Sequence, residues 1–327
     1  MRRIFAIVVI LLALAGLAGA GVQYARRVYD RSGPLEVARA VVIPRGSPAQ
    51  VAEALAAAGV IADPLAFRVA AALGVSGGPL HAGELAFPEK ASLHEVFTVL
   101  RTARPVQHKL TIPEGLTAAQ IARLVARADA LTGDAPVPPE GAILPQTYAY
   151  DYGATRASLF ERASLAMQKA LAQAWASRAP DLPLTSPADL LILASLVERE
   201  TARPEERPHV AGVFLNRLKR GMKLQSDPTV VYAASNGAGL LERPLTHADL
   251  DIASPYNTYR IPALPPGPIA SPGVAALEAS ARPDATADLY FVADGTGGHA
   301  FARTLEEHQR NVARWRAADV PTRPAER

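Results

Sequence analysis

The chain contains no cysteine, which excludes a disulfide framework and thiolate chemistry. That absence is compatible with an exported protein without locating one. Its seven histidines form no His-Glu-x-x-His or comparable ligand spacing, so no metal ligand is expected. The glycine-rich turn Asp294 to Gly298 has neither the spacing nor the Lys-Ser/Thr ending of a phosphate loop; a hairpin turn explains it, and no cofactor is expected. Basic residues outnumber acidic ones only by 34 to 31, a formal charge of +3. No Lys/Arg run is interleaved with aromatics, so nucleic acid is not an expected partner, whereas attraction to anionic lipid or cell-wall polymer fits the balance.

What is present begins with an apolar N-terminus. At 327 residues there is room for two or three domains. A hydrophobic content of 49% with mean hydropathy +0.09 suggests a membrane segment beside ordinary globular parts. After Arg2 and Arg3, residues Ile4 to Val22 carry no charge and no strongly polar side chain, and Arg26 and Arg27 close the run. Nineteen such residues in a helix span a bilayer core. The alternative is a cleaved signal peptide, because Ala18-Gly19-Ala20 resembles a small-residue cleavage site. The run exceeds the usual signal core, which favours a retained anchor over residues 1–27. Positive charge flanks both ends, so orientation is not decided by it.

Residues 35–104 read as a small α/β module. A strand at Ala38 to Ile43 leads to the capping box Ser47-Pro48-Ala49-Gln50, Asp63-Pro64 opens a second helix, Glu84 to Phe87 is a return strand, and Ser92 to Glu95 caps another helix. This order resembles a LysM-like peptidoglycan-binding module; a spacer domain without ligand affinity is the alternative. Residues 105–153 form a connecting α/β subdomain, with a strand at His108 to Ile112, a capping box at Thr117 to Gln120 and a long ordered loop from Gly133 to Gly153. A boundary near Gly153 leaves 154–320 as the main domain and 321–327 as a tail. It opens with a helix from Arg156 to Arg178 carrying the stripe Leu159, Ala163, Met167, Leu171 and Trp175.

The most informative stretch runs from Ser186 to Tyr232. Ser186, Pro187 and Asp189 supply a cap, a first-position proline and a capping-box carboxylate, so a helix begins there. Leu190, Leu193, Leu196 and Val197 recur at spacings of three and four, and Glu200 falls on the same face. Glu198 is rotated from Glu200 by roughly 200° and is expected to be solvated or ion-paired. A carboxyl at the inner end of an apolar stripe is partly desolvated, which raises its pKa and keeps it protonated near neutral pH, as a general acid requires. The competing reading makes Glu200 a fraying helix end or a partner of Arg203 or Arg207.

A second helix follows Pro204, with Val210, Val213, Phe214 and Leu218 inward and Gly221 as its stop. Asp227 before Pro228 is an N-cap signal, whereas Gln225 has no capping position and suits a sugar hydroxyl or carbonyl. Thr246 to Asp249 caps a short helix. Tyr256, Asn257 and Tyr259 then precede the proline-rich Ile261 to Pro272. Prolines lower the entropic cost of holding such rings and amides in one arrangement, which suits a carbohydrate groove; a connector whose tyrosines cover the core is the alternative. Ser271-Pro272 starts another helix, Leu289 to Ala293 is a strand, and Thr304 to Glu307 caps the last helix, ending near Ala318.

Glu200-Thr201 after an apolar helix, Val213-Phe214-Leu215-Asn216-Arg217-Leu218, Gly221-Met222, Leu224-Gln225-Ser226-Asp227-Pro228-Thr229-Val230, Tyr256-Asn257-Thr258-Tyr259, Leu264-Pro265-Pro266-Gly267-Pro268-Ile269, Tyr290-Phe291-Val292 and Gly297-Gly298-His299 together resemble the endolytic murein transglycosylase, or YceG-like, family. One departure is Gln146, where the family pattern leads one to expect an acidic residue. The resemblance implies an α+β protein with one N-terminal transmembrane helix, a LysM-like module and a mostly helical catalytic domain with small β elements. It implies a single-pass protein of the bacterial inner membrane, with its catalytic part in the periplasm or on the outer side. Its activity would be internal cleavage of peptidoglycan between N-acetylmuramic acid and N-acetylglucosamine, leaving a 1,6-anhydromuramoyl end and terminating nascent glycan strands. Glu200, directly before the threonine, takes the catalytic role, with Gln225, Asp227, Tyr256, Asn257 and Tyr259 as substrate contacts. Glycan strands, the inner membrane and cell-wall synthesis proteins are the partners implied. A muramidase-type hydrolase, needing a second carboxylate such as Asp227 or Glu198, and a tethered non-catalytic scaffold remain the alternatives.

Overall fold

The computed structural model describes residues 2–74 and 77–318. The chain mixes helix and strand and divides into two compact units, Met1–His108 with Ala149–Ala154, and Lys109–Tyr148 with Thr155–Arg327. The expected tail at 321–327 lies outside the described residues.

The first unit starts with α1 (Arg2–Asp30), within which Val9–Asp30 is long and apolar enough to cross a membrane. Next come β1 (Arg39–Ile43), α2 (Pro48–Ala57), α3 (Pro64–Ala72), β2 (Gly83–Phe87) and α4 (Leu93–Thr102). β1 and β2 pair antiparallel, with Val41 opposite Leu85 and Ile43 opposite Gly83. Alternation turns Val41, Ile43, Leu85 and Phe87 to one face, where they pack with Leu55, Phe67 and Phe97. Full capping boxes at Ser47 and Ser92 fix where α2 and α4 begin.

β3 (Gln107–Thr111) precedes α5 (Ala118–Ala126), which starts at the Thr117 capping box. β3 pairs with β4 (Thr147–Asp151). This strand lies inside the stretch expected to be loop throughout. Its burial alternates, with Tyr148 and Tyr150 inward; the surrounding prolines and glycines masked a period-two pattern carried by two tyrosines.

The second unit is mainly helical: α6 (Arg156–Ala176), α7 (Pro187–Glu200), α8 (Arg207–Lys219), α9 (Asp227–Ala234) and α10 (Val274–Ala281), followed by the hairpin β5 (Tyr290–Ala293) and β6 (His299–Ala302) and by α11 (Leu305–Ala318). α7 is central, packing against α6, α8, α9 and α10. Its burial exceeds the expected stripe, because Ile192, Ala194 and Ser195 are buried along with Leu190, Leu193, Leu196 and Val197. A helix packed against four others keeps little solvated surface, here Pro187, Ala188 and Arg199. Leu190, Leu193 and Leu196 are fully enclosed, and burying each contributes about 2 kcal/mol.

Three expected helix starts shift. Pro204 opens only a short 3-10 turn, Pro204–Glu206, and α8 begins at Arg207. Ser226, not Asp227, occupies the N-cap of α9, so Asp227 is its first residue. α10 begins after Gly273, two residues beyond the expected Ser271.

Candidate active site

α7 ends at Glu200 because Thr201 turns to an extended conformation, φ −135° and ψ 136°. Arg203, ahead of Pro204, is extended as well. The Thr201 hydroxyl locks this turn, donating to Glu206 Oε2 at 3.0 Å and accepting from the Arg203 N–H at 3.1 Å. Glu206 is fixed in turn by the His299 N–H at 3.0 Å and His299 Nδ1 at 2.7 Å. The end of the helix is therefore tied to the β5–β6 hairpin.

Glu200 is half-buried, and its Oε2 accepts a hydrogen bond from the Ser226 hydroxyl at 2.9 Å. Burial pushes its pKa up to about 7. The Ser226 hydrogen bond and the Arg217 charge oppose that rise, and the Asp227 charge adds to it. The position at the C-terminus of α7 acts in the same direction, since the helix dipole there disfavours negative charge. A carboxyl so placed is protonated for part of the time at neutral pH and can give up its proton and take it back.

Arg203 and Arg207 do not pair with Glu200. Arg203 donates to the Thr296 carbonyl at 2.7 Å, and Arg207 meets Glu198 Oε1 at 2.8 Å and Glu114 at 3.3 Å. Glu198 is ion-paired, as one of its two expectations had it, yet deeply buried, with 4% of its side chain exposed. Its Oε2 accepts the Gly273 N–H at 2.8 Å, so it ties α7 to the start of α10.

Three of the five expected substrate contacts gather at the Ser226 side of Glu200. Gln225 is exposed and adopts φ +49°, a left-handed backbone that costs a non-glycine residue on the order of 1 kcal/mol. Asp227 is exposed and accepts the Tyr259 hydroxyl at 2.6 Å. Burial raises the Tyr259 pKa, with the Asp227 hydrogen bond and the charges of Asp227 and Glu200 adding to it. Thus Tyr259 stays a neutral donor.

The other two are engaged elsewhere. Asn257 is fully buried; its amide donates to the carbonyls of Leu250 and Ile252 at 3.0 and 2.9 Å, and its oxygen accepts the Tyr259 N–H at 3.0 Å. It shapes the loop that presents Tyr259. Tyr256 is half-buried with its ring 4.9 Å from that of Tyr232. A Cβ at Gly267 would come 3.0 Å from the Tyr256 hydroxyl oxygen, so glycine lets the proline-rich stretch pass that ring.

Two groups beside Glu200 escaped the sequence reading. Arg217 is 7% exposed. It donates to the carbonyls of Leu289 at 2.6 Å and Leu224 at 2.7 Å and forms no salt bridge among the described residues. Burial lowers its pKa, while the charges of Tyr290 and Glu200 raise it. A buried cation close to Glu200 steadies the carboxylate form once the proton has left. The signal was its place beside Val210, Val213 and Phe214 on an apolar face. Ser226 is fully buried and carried no signal beyond lying between Gln225 and Asp227.

The YceG-like family model matches residues 41–314. An endolytic murein transglycosylase of Bacillus subtilis (strain 168) is 39% identical over 173 residues, which is 53% of this chain and 47% of that protein. One of Streptococcus pneumoniae serotype 2 is 35% identical over 249 residues, 64% of this chain and 45% of that protein. The chain thus spans about half the length of the curated relatives it matches. The crystal structure of a yceG-like protein from Listeria monocytogenes is similar with a TM-score of 0.53 at 28% identity, over 84% of this chain and 99% of that one.

Proposed function

The chain belongs to the YceG-like family, and on that premise we propose that it is an endolytic peptidoglycan lytic transglycosylase with Glu200 as its acid and base. The observation that carries the reading is one carboxyl with a pKa near 7, one oxygen held by Ser226, and a buried arginine close by. Glu200 gives its proton to the glycosidic oxygen as the bond from the muramoyl C1 breaks. The muramoyl C6 hydroxyl then adds to C1 and returns its proton to the Glu200 carboxylate. No water is consumed, one product ends in a 1,6-anhydro ring, and the acid is regenerated.

A hydrolase needs a second carboxylate as base or nucleophile. Of the two candidate carboxylates, Glu198 is held on both oxygens, and Asp227, which acts electrostatically on Glu200, already accepts the Tyr259 hydroxyl on Oδ1. That engagement favours the ring-closing route. Gln225, Asp227 and Tyr259 form the sugar-binding rim in this reading. α1 serves as the single-pass anchor in the inner membrane, and the first unit as a LysM-like peptidoglycan contact on the outer side. Mass spectrometry of glycan strands treated with the protein tests it. Anhydromuramoyl ends that vanish in Glu200→Gln are expected; reducing ends would replace the reading with a muramidase, and binding without cleavage would replace it with a scaffold.

A further inference from the structure

Ser226, Thr229 and Thr258 are buried together beneath Glu200, with no exposed surface at any of the three. Their protons can be followed one by one. The Ser226 N–H donates to Thr258 Oγ1 at 3.0 Å. The Thr229 hydroxyl donates to the Ser226 carbonyl at 2.6 Å, so at the 2.9 Å contact between the two threonine hydroxyls Thr258 is the donor. Thr229 Oγ1 accepts the Thr258 N–H as well, at 3.3 Å, and the Gln225 N–H donates to the Thr258 carbonyl at 3.2 Å. The left-handed turn at Gln225 and the start of α9 are thereby clamped to the loop carrying Tyr259. Every threonine proton has an acceptor inside the cluster. The Ser226 hydroxyl has one partner among the described residues, Glu200 Oε2.

We propose that Ser226 is a positioning residue that decides which oxygen of Glu200 carries the acidic proton. With Oε2 occupied by the serine O–H, and the serine held from behind by the two threonines, the proton sits on Oε1, which has no hydrogen-bond partner among the described residues. Rotation of the carboxyl would cost the serine hydrogen bond. The acid is therefore presented in one orientation, and the carboxylate left after transfer keeps a donor in place. This rests on the reading of Glu200 as the acid. Asp227 on α9, Arg217 on α8 and Tyr259 on the following loop are the other charged or titratable groups coupled to Glu200, and the variants below leave them unchanged.

The test is the pH profile of glycan cleavage by the full-length chain in detergent, on uncrosslinked glycan strands, for wild type, Ser226→Ala, Ser226→Cys and Ser226→Thr. Removing the donor raises the Glu200 pKa, so the alkaline limb of kcat/KM in Ser226→Ala should move up by on the order of one pH unit while the plateau falls about tenfold or more. Ser226→Cys, nearly the same size but a weaker donor, should lie between. Ser226→Thr, which keeps the hydroxyl, should keep the wild-type limb. A merely structural loss lowers the plateau and leaves the limb in place. If Ser226→Ala does not fold by circular dichroism, the cysteine variant carries the comparison. An unmoved limb in the folded variants overturns the inference, whereas wild type that never cleaves glycan overturns the functional reading instead.

Discussion

Glu198 and Glu200 stand two residues apart on α7 and occupy opposite kinds of surroundings. Burial raises the pKa of both. Glu198 is held on both oxygens, by the Arg207 guanidinium and the Gly273 amide. Glu200 has one oxygen fixed by a neutral hydroxyl and the other uncommitted among the described residues. Burial alone therefore does not mark the chemical group; what separates the two is whether a fixed cation already claims the carboxylate. A claimed carboxylate holds the fold together, and an unclaimed one can trade its proton.

The sharpest way to break this contrast is exchange of the two roles by mutation. Glu200→Gln should lower the cleavage rate by at least about a hundredfold, measured as anhydromuramoyl product, with the melting temperature unreduced. Glu198→Ala should instead leave the Arg207 charge buried with only Glu114 as partner, costing about 3 kcal/mol by chemical denaturation, while the folded fraction still cleaves. If both variants lose activity at full stability, the contrast fails.

A second test uses pH. In the folded protein Glu200 titrates near 7 rather than at the ordinary 4.5, so between those values the native state binds more protons than the unfolded one. Stability from this group is then fully present below pH 4.5 and lost as pH rises towards 7. Glu200→Gln should remove the loss, leaving the variant about 3 kcal/mol more stable than wild type at pH 8 in urea titrations. Cleavage by wild type should decline above pH 7, close to tenfold per unit, as the acid ionises.

Smaller effects separate loop shape from sugar contact. Asn257→Ala strands the carbonyls of Leu250 and Ile252 and should cost about 1 to 2 kcal/mol, seen as a lower melting temperature. Gln225→Gly relieves the left-handed backbone and should change stability by less than about 1 kcal/mol. If the amide touches sugar, KM rises in that variant while kcat holds.

Helical phase and capping chemistry made α7 and its glutamate legible from sequence, because both depend on residues within a few turns of each other. The Ser47, Ser92, Thr117 and Ser186 capping boxes are local in the same way and lie where the residue types put them. What was not legible is what distant segments bring. Ser226 reaches Glu200 across 26 positions, and Arg217 finds its acceptor at Leu289, 72 positions on. Asn257 looked like a ligand donor and is instead a loop brace, since an amide has the same appearance in sequence whichever carbonyls it meets.

The enclosure of α7 on nearly every side has a consequence for how the protein fails. Beyond the exposed first turn at Pro187 and Ala188, its amides are covered by neighbouring helices, so deuterium should enter the middle of this helix mainly when the second unit opens as a whole. Glu200 should therefore ride on one of the slowest-exchanging segments of that unit. Heat should therefore silence the site and unfold the unit in one cooperative event, with no window in which the chain stays folded but the acid has come loose.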